Sequence, residues 1–443
     1  MAGPFGFMEK QTTTTEPMQQ SRREFLRTSA TAAGAALGSA PFVLAQSNKK
    51  TFKVALIGCG GRGSGALEDH FQAAKWLNDK HGLNLEIQLV AAADWFAGRA
   101  KAVGERHGLP ANKCFGGADC YASALAENPD IVLMAQPPVF RPQHFEAVIG
   151  AGKHVFFEKP VAVDPPGVRR VIKAGEAAAQ KGLCVVAGTQ RRHEHGYNQL
   201  AREIRDGAYG RILGGRVSWC QGAIFTNTPI HPTGPDQLVG PWQIWVEMSG
   251  DHITEQHVHN LDVANWMLDA HPLSAVGFGY RVQRVAGNMY DFFSVDYEYP
   301  QGVHIHSTCR QVGGCWDWVG EQFTYEKRKP RDYKPAAPDP YQEVGYHESG
   351  YVGEHAHLLY AIVKGRPLNE ARNVAWSTAT AILGRESAYS GQKLTWAEMF
   401  EDPNAQPKWH NLQLRPTAED FQTGQIKMLK DGDVRIPGKY KPA

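Results

Sequence analysis

A lysine in the setting of a proton-transfer group stands in the tripeptide Glu158-Lys159-Pro160. The apolar run before it, His154–Phe157, has the length of a short buried strand, so Lys159 is expected at the carboxyl end of that strand. Desolvation at such a place pulls the pKa of a lysine amine toward neutrality, which suits it to accept or return a proton. Lys159 is our candidate for a catalytic proton-transfer group. The alternative is a surface lysine paired with Glu158.

A glycine-rich turn follows the first apolar run of the chain and precedes an amphipathic stretch, over residues 58–63 (GCGGRG). Between a strand and a helix, the first glycine permits the tight turn, the second lets the backbone approach a pyrophosphate, and the last lets helix and strand come close. The helix N-terminus adds unpaired N–H groups and partial positive charge. We therefore predict a dinucleotide site, with a plain turn as the alternative. Its residues would be Gly58, Gly60, Gly61, Arg62 and Gly63.

The second predicted strand ends on an acidic residue, Asp94, after the run Leu89–Ala93. A carboxylate there accepts hydrogen bonds from the adenosine ribose diol and repels a 2′-phosphate, so we predict NAD, with NADP less favoured. Arg99 follows closely and would weaken that preference. Capping of the next helix by Asp94 is the alternative, and it is compatible with ribose binding.

A histidine-rich segment runs from Gly250 to Asp262. If one helix passes through it, Glu255, His259 and Asp262 share a face because they are four and three residues apart. That face would present hydrogen-bond acceptors and a proton shuttle to substrate hydroxyls. The alternatives are core or capping roles, or a metal site of His252, Glu255 and His259, which hydride transfer does not need.

A second polar cluster begins where the first predicted sheet ends, at Gln190. Arg191, Arg192 and Tyr197 are candidates for binding polyol hydroxyls or a substrate carboxylate. The alternative is a solvated run of charges.

The elements that must position these residues fall into two parts. Strand-like and helical stretches alternate between residues 51 and 187, which predicts a parallel sheet with helices on both faces. After residue 188 strand-like runs dominate, with a few helices, one of them from Glu255 to Leu268. We predict an α/β fold with an N-terminal Rossmann dinucleotide-binding domain (50–187) and a C-terminal α+β domain (188–443). The second domain would contain a large, mostly antiparallel open sheet, bind substrate and mediate oligomerisation.

These segments together resemble the Gfo/Idh/MocA family of NAD(P)-dependent sugar and cyclitol oxidoreductases. The resemblance rests on the glycine turn and on further segments at residues 137–144, 158–160, 250–262 and 371–396, and it spans nearly the whole chain after residue 50. It implies a carbohydrate or cyclitol substrate, a cis peptide bond before Pro160, and a homo-dimer or homo-tetramer.

The resemblance also assigns roles to individual residues. Segment 250–262 is similar to the family pattern GGGxxxDxGxHxxD, which makes His259 and Asp262 catalytic partners of Lys159. Glu255 and His257 stand where the family has aspartate and glycine, a departure that indicates a non-standard substrate pocket. Cofactor residues beyond the glycine turn would be Asp94, Gln136, Pro137, His144, Glu158, Lys159 and Gln190. Substrate residues would be Arg191, Arg192, Tyr197, Glu255 and His259.

The first 46 residues have the composition of a leader. Paired arginines, Arg22 and Arg23, precede an uncharged, alanine-rich stretch from Thr28 to Ala45, a pattern typical of a twin-arginine export signal. We predict export into the periplasm, cleavage near Ala45 and a disordered stretch before the signal. An ordinary N-terminal helix is the alternative. Free nicotinamide cofactor is not expected to be abundant outside the cytoplasm, so an exported enzyme would keep its NAD tightly bound and recycle it.

The composition of the 443 residues argues against several kinds of partner. Lys and Arg number 47 and Asp and Glu 45, and the net charge of +2 gives no reason to expect nucleic acid or an anionic membrane as partner. No stretch reaches the roughly 20 apolar residues of a membrane span. Seven cysteines without paired spacing indicate neither a disulfide scaffold nor a metal site.

Three functions are compatible with these features. The leading one is reversible hydride transfer between NAD and a sugar, sugar derivative or cyclitol. The second is an NAD-dependent glycoside hydrolase or lyase that works through a transient keto-sugar. The third is a non-catalytic sugar sensor or scaffold.

Overall fold

Six short parallel strands form the first of two sheets in a computed structural model of the chain. The structure describes residues 49–225, 228, 230, 233–402, 404 and 407–442, and the predicted leader with its paired arginines lies outside them. The strands are β1 (Lys50–Ile57), β2 (Leu85–Asp94), β3 (Cys114–Gly116), β4 (Ile131–Met134), β5 (His154–Phe157) and β6 (Val185–Ala187). They lie in the order β3-β2-β1-β4-β5-β6, so the order reverses between β1 and β4, where such sheets form their ligand crevice.

Helices connect these strands, and local chemistry sets their ends. The first helix, α1 (Gly61–His81), is followed by Gly82, whose left-handed φ of 63° terminates it. α5 begins after Asp164, whose side chain accepts a hydrogen bond from the Gly167 amide, and Pro165 occupies its first position. The connecting helices are α1 (Gly61–His81), α2 (Ala97–Arg106), α3 (Cys120–Ala126), α4 (Arg141–Gly150) and α5 (Pro165–Gln180).

The second sheet is mixed and has the strand order β11-β7-β10-β9-β8-β12, in which β7 and β10 run parallel and the other neighbours antiparallel. Its strands are β7 (Ile212–Gln221), β8 (Ser274–Tyr280), β9 (Phe292–Tyr299), β10 (Val303–Gln311), β11 (Trp318–Tyr325) and β12 (Leu394–Thr395). The helices of this half are α6 (His195–Arg205), α7 (Asp236–Val239), α8 (Val246–Ser249), α9 (His252–Glu255), α10 (Val258–Leu268), α11 (Gly350–Lys364), α12 (Ala371–Ser390), α13 (Pro407–His410) and α14 (Ala418–Thr423). The predicted fold class is confirmed.

Glycines let the long helix α12 lie directly on the second sheet. A Cβ on Gly384 would stand 2.0 Å from the Tyr297 hydroxyl oxygen, and one on Gly277 would stand 2.8 Å from the Ala388 nitrogen. The helix is consequently buried along most of its length.

The first sheet separates two apolar cores because alternate residues of a strand face opposite sides. Ala55 and Ile57 of β1 pack into one core with α4 and α5. Val54 and Leu56 pack into the other with α1 and with α11. Helix α11 therefore covers the first sheet, although in sequence it lies within the range predicted for the second domain.

The predicted continuous helix Glu255–Leu268 is wrong, because α9 ends at Glu255 and α10 begins at Val258. Contacts with residues from other parts of the fold interrupt the helix between Glu255 and Val258. The Glu255 carbonyl accepts a hydrogen bond from the Lys159 amine at 2.6 Å, and His257 Nε2 lies 2.7 Å from the Ser307 hydroxyl. Glu255 is therefore not on one helical face with His259 and Asp262.

Strand β11 has no counterpart in the sequence-based prediction. It pairs with β7 at the edge of the second sheet, and none of its residues is buried. Without a buried side there is no period-two apolar pattern to detect.

Candidate active site

The glycine turn leaves an open backbone surface at the carboxyl edge of the first sheet. Gly58 has a left-handed φ of 93°, and a Cβ on Gly63 would stand 1.7 Å from the Gly58 oxygen. A Cβ on Gly60 or Gly61, in contrast, would have no neighbour within 4 Å. The turn is therefore tight where helix and strand meet and open where a ligand would approach, as a pyrophosphate requires.

The start of α1 faces the same crevice without competing acids. Gly60 offers no side-chain cap, and the first turn carries no acidic residue, so the unpaired N–H groups suit an anion. Arg62 is committed elsewhere: its Nη2 donates to Asp69 at 2.6 Å and its Nε lies 3.2 Å from Glu158 Oε1. Arg62 thus links the turn to the residue before Lys159.

Asp94 sits at the end of β2, as predicted, with its carboxylate held by two backbone amides. The Cys59 amide donates to one oxygen at 2.7 Å and the Phe96 amide to the other at 2.9 Å. Burial raises the pKa of this carboxyl, while the two amides lower it. Asp94 and Arg99 both line the pocket beside the glycine turn, where an adenosine ribose would lie.

Gln136 and His144 meet in that pocket. Gln136 Nε2 lies 3.1 Å from His144 Nδ1, and the buried Gln136 Oε1 has no hydrogen-bond partner among the described residues. His144 stacks on Tyr121 at 3.9 Å, and burial lowers its pKa to about 3, which keeps it neutral. Gln136 lines the pocket, and an acceptor left without a partner on a lining residue fits a cofactor amide or hydroxyl. Pro137 lines the same pocket.

A wall from distant parts of the chain completes the pocket, and sequence spacing does not predict its position there. Val239 and Trp242 line it, and the Trp95 indole donates to Asp236 at 2.7 Å. Phe421 of α14 packs edge-on against Trp95 at 5.4 Å.

Lys159 lies among the residues predicted to act with it. Its amine donates to the Glu255 carbonyl at 2.6 Å and stands 3.6 Å from Glu255 Oε1. The Lys159–Pro160 bond is cis, as the family resemblance implied. Burial, followed by the positive charges of Lys159 and Arg191, holds the pKa of His259 well below its usual range. A neutral imidazole and a carboxylate therefore neighbour the amine.

A second cluster of polar groups forms around Glu321. Its carboxylate accepts hydrogen bonds from Arg191 at 2.6 Å, Tyr197 at 2.9 Å and Asn260 at 2.6 Å. Neither Glu321 nor Asn260 is predicted from the sequence. Glu321 lies on β11, a strand that the sequence pattern does not predict, and no spacing or motif distinguishes Asn260 from its neighbours. His259 and Arg191 both lie against the ring of Trp219, each about 6 Å from its centroid.

Arg192 and Asp262 pair with each other. The Arg192 guanidinium donates to both Asp262 oxygens, at 2.8–3.1 Å, and Ser377 donates to the same carboxylate at 2.7 Å. In the part of the chain that the structure describes, the polar partners of Asp262 are Arg192 and Ser377, and no hydrogen bond or ion pair joins it to Lys159 or Glu255. The catalytic role of Asp262 that the resemblance implies stays a prediction.

Gln190 begins the turn after β6, and its buried Oε1 has no partner among the described residues. The backbone carbonyl of Gln190 faces Gly350 of α11. Gln190 does not line the pocket beside the glycine turn, which we call the adenosine-side pocket. His252, considered as a metal ligand, pairs with Asp251 at 3.0 Å. Within the described ranges, no three His, Cys, Asp or Glu side chains are grouped to hold a metal ion. No helix in the part of the chain that the structure describes is long and apolar enough to cross a membrane.

Comparison with known proteins identifies relatives. The inositol 2-dehydrogenase of Ralstonia nicotianae is 29% identical over 58% of this chain and 66% of its own length, just under two thirds. That of Rhizobium meliloti is 22% identical over 66% of this chain and 86% of its own length. The scyllo-inositol dehydrogenase of Lactobacillus casei, solved with NAD(H) and scyllo-inositol, has the same fold, with a TM-score of 0.57 and 16% identity over 78% of this chain and 99% of that one.

Two family models match the chain and together cover more than half of it. The model of an oxidoreductase family with an NAD-binding Rossmann fold matches residues 52–189. The GFO/IDH/MocA C-terminal domain matches residues 197–316. With a glycine turn, an acidic residue at the end of β2 and a lysine after β5, the chain belongs to the GFO/IDH/MocA family of oxidoreductases with an NAD-binding Rossmann fold.

Proposed function

We propose that the protein moves a hydride reversibly between NAD and a secondary alcohol of a sugar, sugar derivative or cyclitol. The observation that carries this proposal is the position of Lys159 just after β5, where its amine is bound to the Glu255 carbonyl and stands 3.6 Å from Glu255 Oε1. Its positive charge also helps to lower the pKa of His259. NAD, when bound, accepts or returns the hydride. Lys159 takes the hydroxyl proton during oxidation and returns it during reduction.

The groups around Lys159 suit a substrate with several hydroxyls. Glu255 and neutral His259 offer acceptors, Arg191 has N–H groups beyond the one it donates to Glu321, and Trp219 offers an aromatic face. Tyr197 donates its O–H to Glu321 and can offer its oxygen as an acceptor. Small-molecule sites combine hydrophobic and aromatic side chains with a few polar groups that fix the orientation of the ligand. The inositol 2-dehydrogenases among the relatives support a cyclitol or sugar as substrate.

Arg192 and Asp262 serve this site indirectly in our proposal. Their buried ion pair joins the turn after β6 to α10, the helix that carries His259. Loss of one partner would leave an uncompensated buried charge.

Replacement of the catalytic amine tests the proposal. Lys159→Met should lower turnover of the active sugar or cyclitol by about 10²–10⁴-fold, because proton transfer is lost. Cofactor binding should persist. A panel of sugars and cyclitols, followed by NADH absorbance and product analysis, identifies the substrate. Unchanged turnover in the variant would refute the assigned role, and release of aglycone from glycosides without net NADH would favour the hydrolase or lyase.

We also propose that the protein is exported and keeps its cofactor through each cycle. The paired arginines Arg22 and Arg23 support export, and the wall formed by Trp242 and Val239 over the adenosine side supports retention. Replacing both arginines by lysine should leave the protein in the cytoplasmic fraction. Trp242→Ala should speed NAD release about fivefold, in line with about 1 kcal/mol for a lost aromatic contact. Exposed Trp316→Ala serves as the control.

A further inference from the structure

Three cationic side chains stand among the residues predicted to bind the substrate or move its proton, and each of them faces a carboxylate. The pairs are Lys159 with Glu255, Arg191 with Glu321 and Arg192 with Asp262, at N···O distances of 3.6, 2.6 and 2.8 Å. None of these six side chains is more than 15% exposed, so solvent and salt screen their charges only weakly. Within this described group, positive and negative charges balance, and no cation is left over for an acidic substrate.

Arg191 lies at the same edge of the first sheet as Lys159. β5 and β6 are parallel neighbours, and Lys159 comes two residues after the first of them and Arg191 four residues after the second. The Arg191 guanidinium lies 5.8 Å from the centroid of the Trp219 ring, on which the His259 ring stacks at 5.7 Å. His259 in turn follows Glu255, whose carbonyl binds the Lys159 amine, by four residues. Contacts therefore connect Arg191 with the proposed proton-transfer group.

Donors from three elements hold the Glu321 carboxylate beside Arg191. They are Arg191 Nη1 after β6 at 2.6 Å, the Tyr197 hydroxyl of α6 at 2.9 Å and the Asn260 amide of α10 at 2.6 Å. Burial raises the pKa of Tyr197 to about 12, so its hydroxyl keeps its proton and donates. Asn260 directly follows His259 in the chain, which brings Glu321 to the same helix end. A fixed negative charge thus stands at the guanidinium.

We propose that Glu321 is a specificity-determining residue that makes the site select uncharged polyols over sugar acids. The inference rests on the proposed function and narrows its class of substrate.

The physical reason is competition for one guanidinium. A substrate carboxylate placed against Arg191 would have to displace Glu321 or lie next to it, and like charges brought together in this way are strongly disfavoured. A hydroxyl needs only the N–H groups of Arg191 beyond the one bonded to Glu321. The pairing therefore favours one of the two roles that the sequence leaves open for Arg191, the binding of hydroxyls rather than of a carboxylate.

Two sugars that differ at a single carbon test the inference. D-Glucose and D-glucuronate have the same ring, but glucuronate carries a carboxylate in place of the primary alcohol. Isothermal titration calorimetry of the NAD-loaded protein measures both affinities without any turnover. The wild type should bind glucuronate about tenfold more weakly than glucose, or weaker still. Glu321→Gln removes the competing charge and should bind glucuronate about 10–100-fold more tightly than the wild type does, the range of a charged hydrogen bond.

Two further variants separate charge from shape. Glu321→Asp keeps the negative charge and should keep the weak binding of glucuronate. Glu326→Gln removes an exposed carboxylate just past the end of β11 and should bind both sugars as the wild type does.

Glucuronate that binds the wild type as tightly as glucose would overturn the inference, as would glucuronate that binds Glu321→Gln no better than the wild type. The comparison of the two sugars in the wild type needs no variant, so the test stands even if Glu321→Gln does not fold. A different result concerns the proposed function: if no neutral or acidic sugar or cyclitol yields NADH, hydride transfer is refuted, while the calorimetric affinities still decide the role of Glu321.

Discussion

At the scale of single residues, the site depends on charges that are placed by backbone groups. Asp94 illustrates this: the Cys59 and Phe96 amides hold its carboxylate at the rim of the adenosine-side pocket. Lys159 is held in the same way by the Glu255 carbonyl. Because main-chain groups fix both side chains, their positions follow from the turns that carry them.

Asp94 should decide between the two nicotinamide dinucleotides. Asp94→Asn keeps the size of the side chain but removes the charge that accepts from a ribose diol and repels a 2′-phosphate. NAD affinity should fall about 10–100-fold, the equivalent of roughly 1.5–3 kcal/mol for a charged hydrogen bond, while NADP affinity should rise. Fluorescence titration with both cofactors measures the ratio. An unchanged ratio would contradict the ribose assignment.

At the scale of elements, the packing of α1 against β1 creates the cofactor turn. Gly63 lies against the Gly58 carbonyl, whereas Gly60 faces open space, so two glycines of one motif have different tasks. Helix α11 contributes in another way, since it returns from late in the chain to cover the first sheet.

The two glycines provide a matched pair of substitutions. Gly63→Ala places a methyl group 1.7 Å from the Gly58 oxygen and should lower the free energy of unfolding by about 1–3 kcal/mol. Gly60→Ala meets nothing in the protein, so it should leave the melting temperature unchanged and weaken NAD binding instead. Urea denaturation and cofactor titration separate the two effects. Equal loss of stability in both variants would contradict the division of tasks.

At the scale of the whole molecule, several buried histidines link stability to pH. Burial lowers the pKa of His70, His144 and His257 to about 3 each. In the unfolded chain they titrate near pH 6.5. Because the folded-state pKa is depressed, their contribution is fully present above about pH 6.5 and is lost as the pH falls toward the folded value.

The free energy of unfolding should therefore decline as the pH drops below about 6.5, by up to about 1.4 kcal/mol per pH unit for each of these histidines. Urea denaturation at a series of pH values measures the slope. His144→Asn should make the slope shallower, and the exposed His306→Asn should leave it unchanged. A flat profile between pH 6.5 and 5 would show that these histidines do not remain neutral in the folded state.

The second sheet also supports our proposal of a homo-dimer or homo-tetramer. Gly277 faces α12, so the next residue, Phe278, points to the opposite side, where it is 68% exposed. Exposed apolar residues on an open sheet favour association. Light scattering should find a dimer or tetramer, and Phe278→Glu should shift it toward monomer, whereas Met428→Glu in the C-terminal tail should not. A wild-type monomer would refute the proposal.

A feature can be predicted from the sequence when the residues that form it are adjacent in the chain, and not when they are far apart. The glycine turn, Asp94 and the lysine after β5 could be predicted because strand, turn and residue are adjacent in the chain. The break after Glu255 could not, because it depends on Lys159 and Ser307, which come from other strands. Glu321 was missed because an edge strand without a buried side leaves no apolar periodicity.

The sequence by itself determined the α/β class, the dinucleotide turn and the candidate proton-transfer amine, since local spacing encodes each of them. The tertiary structure decided which polar groups surround that amine, that Arg192 and Asp262 satisfy each other, and that Trp242 lines the cofactor-side pocket. Those pairings join residues from separate strands and helices. Burial and the competition for a few cations select among them, and neither is visible until the chain has folded.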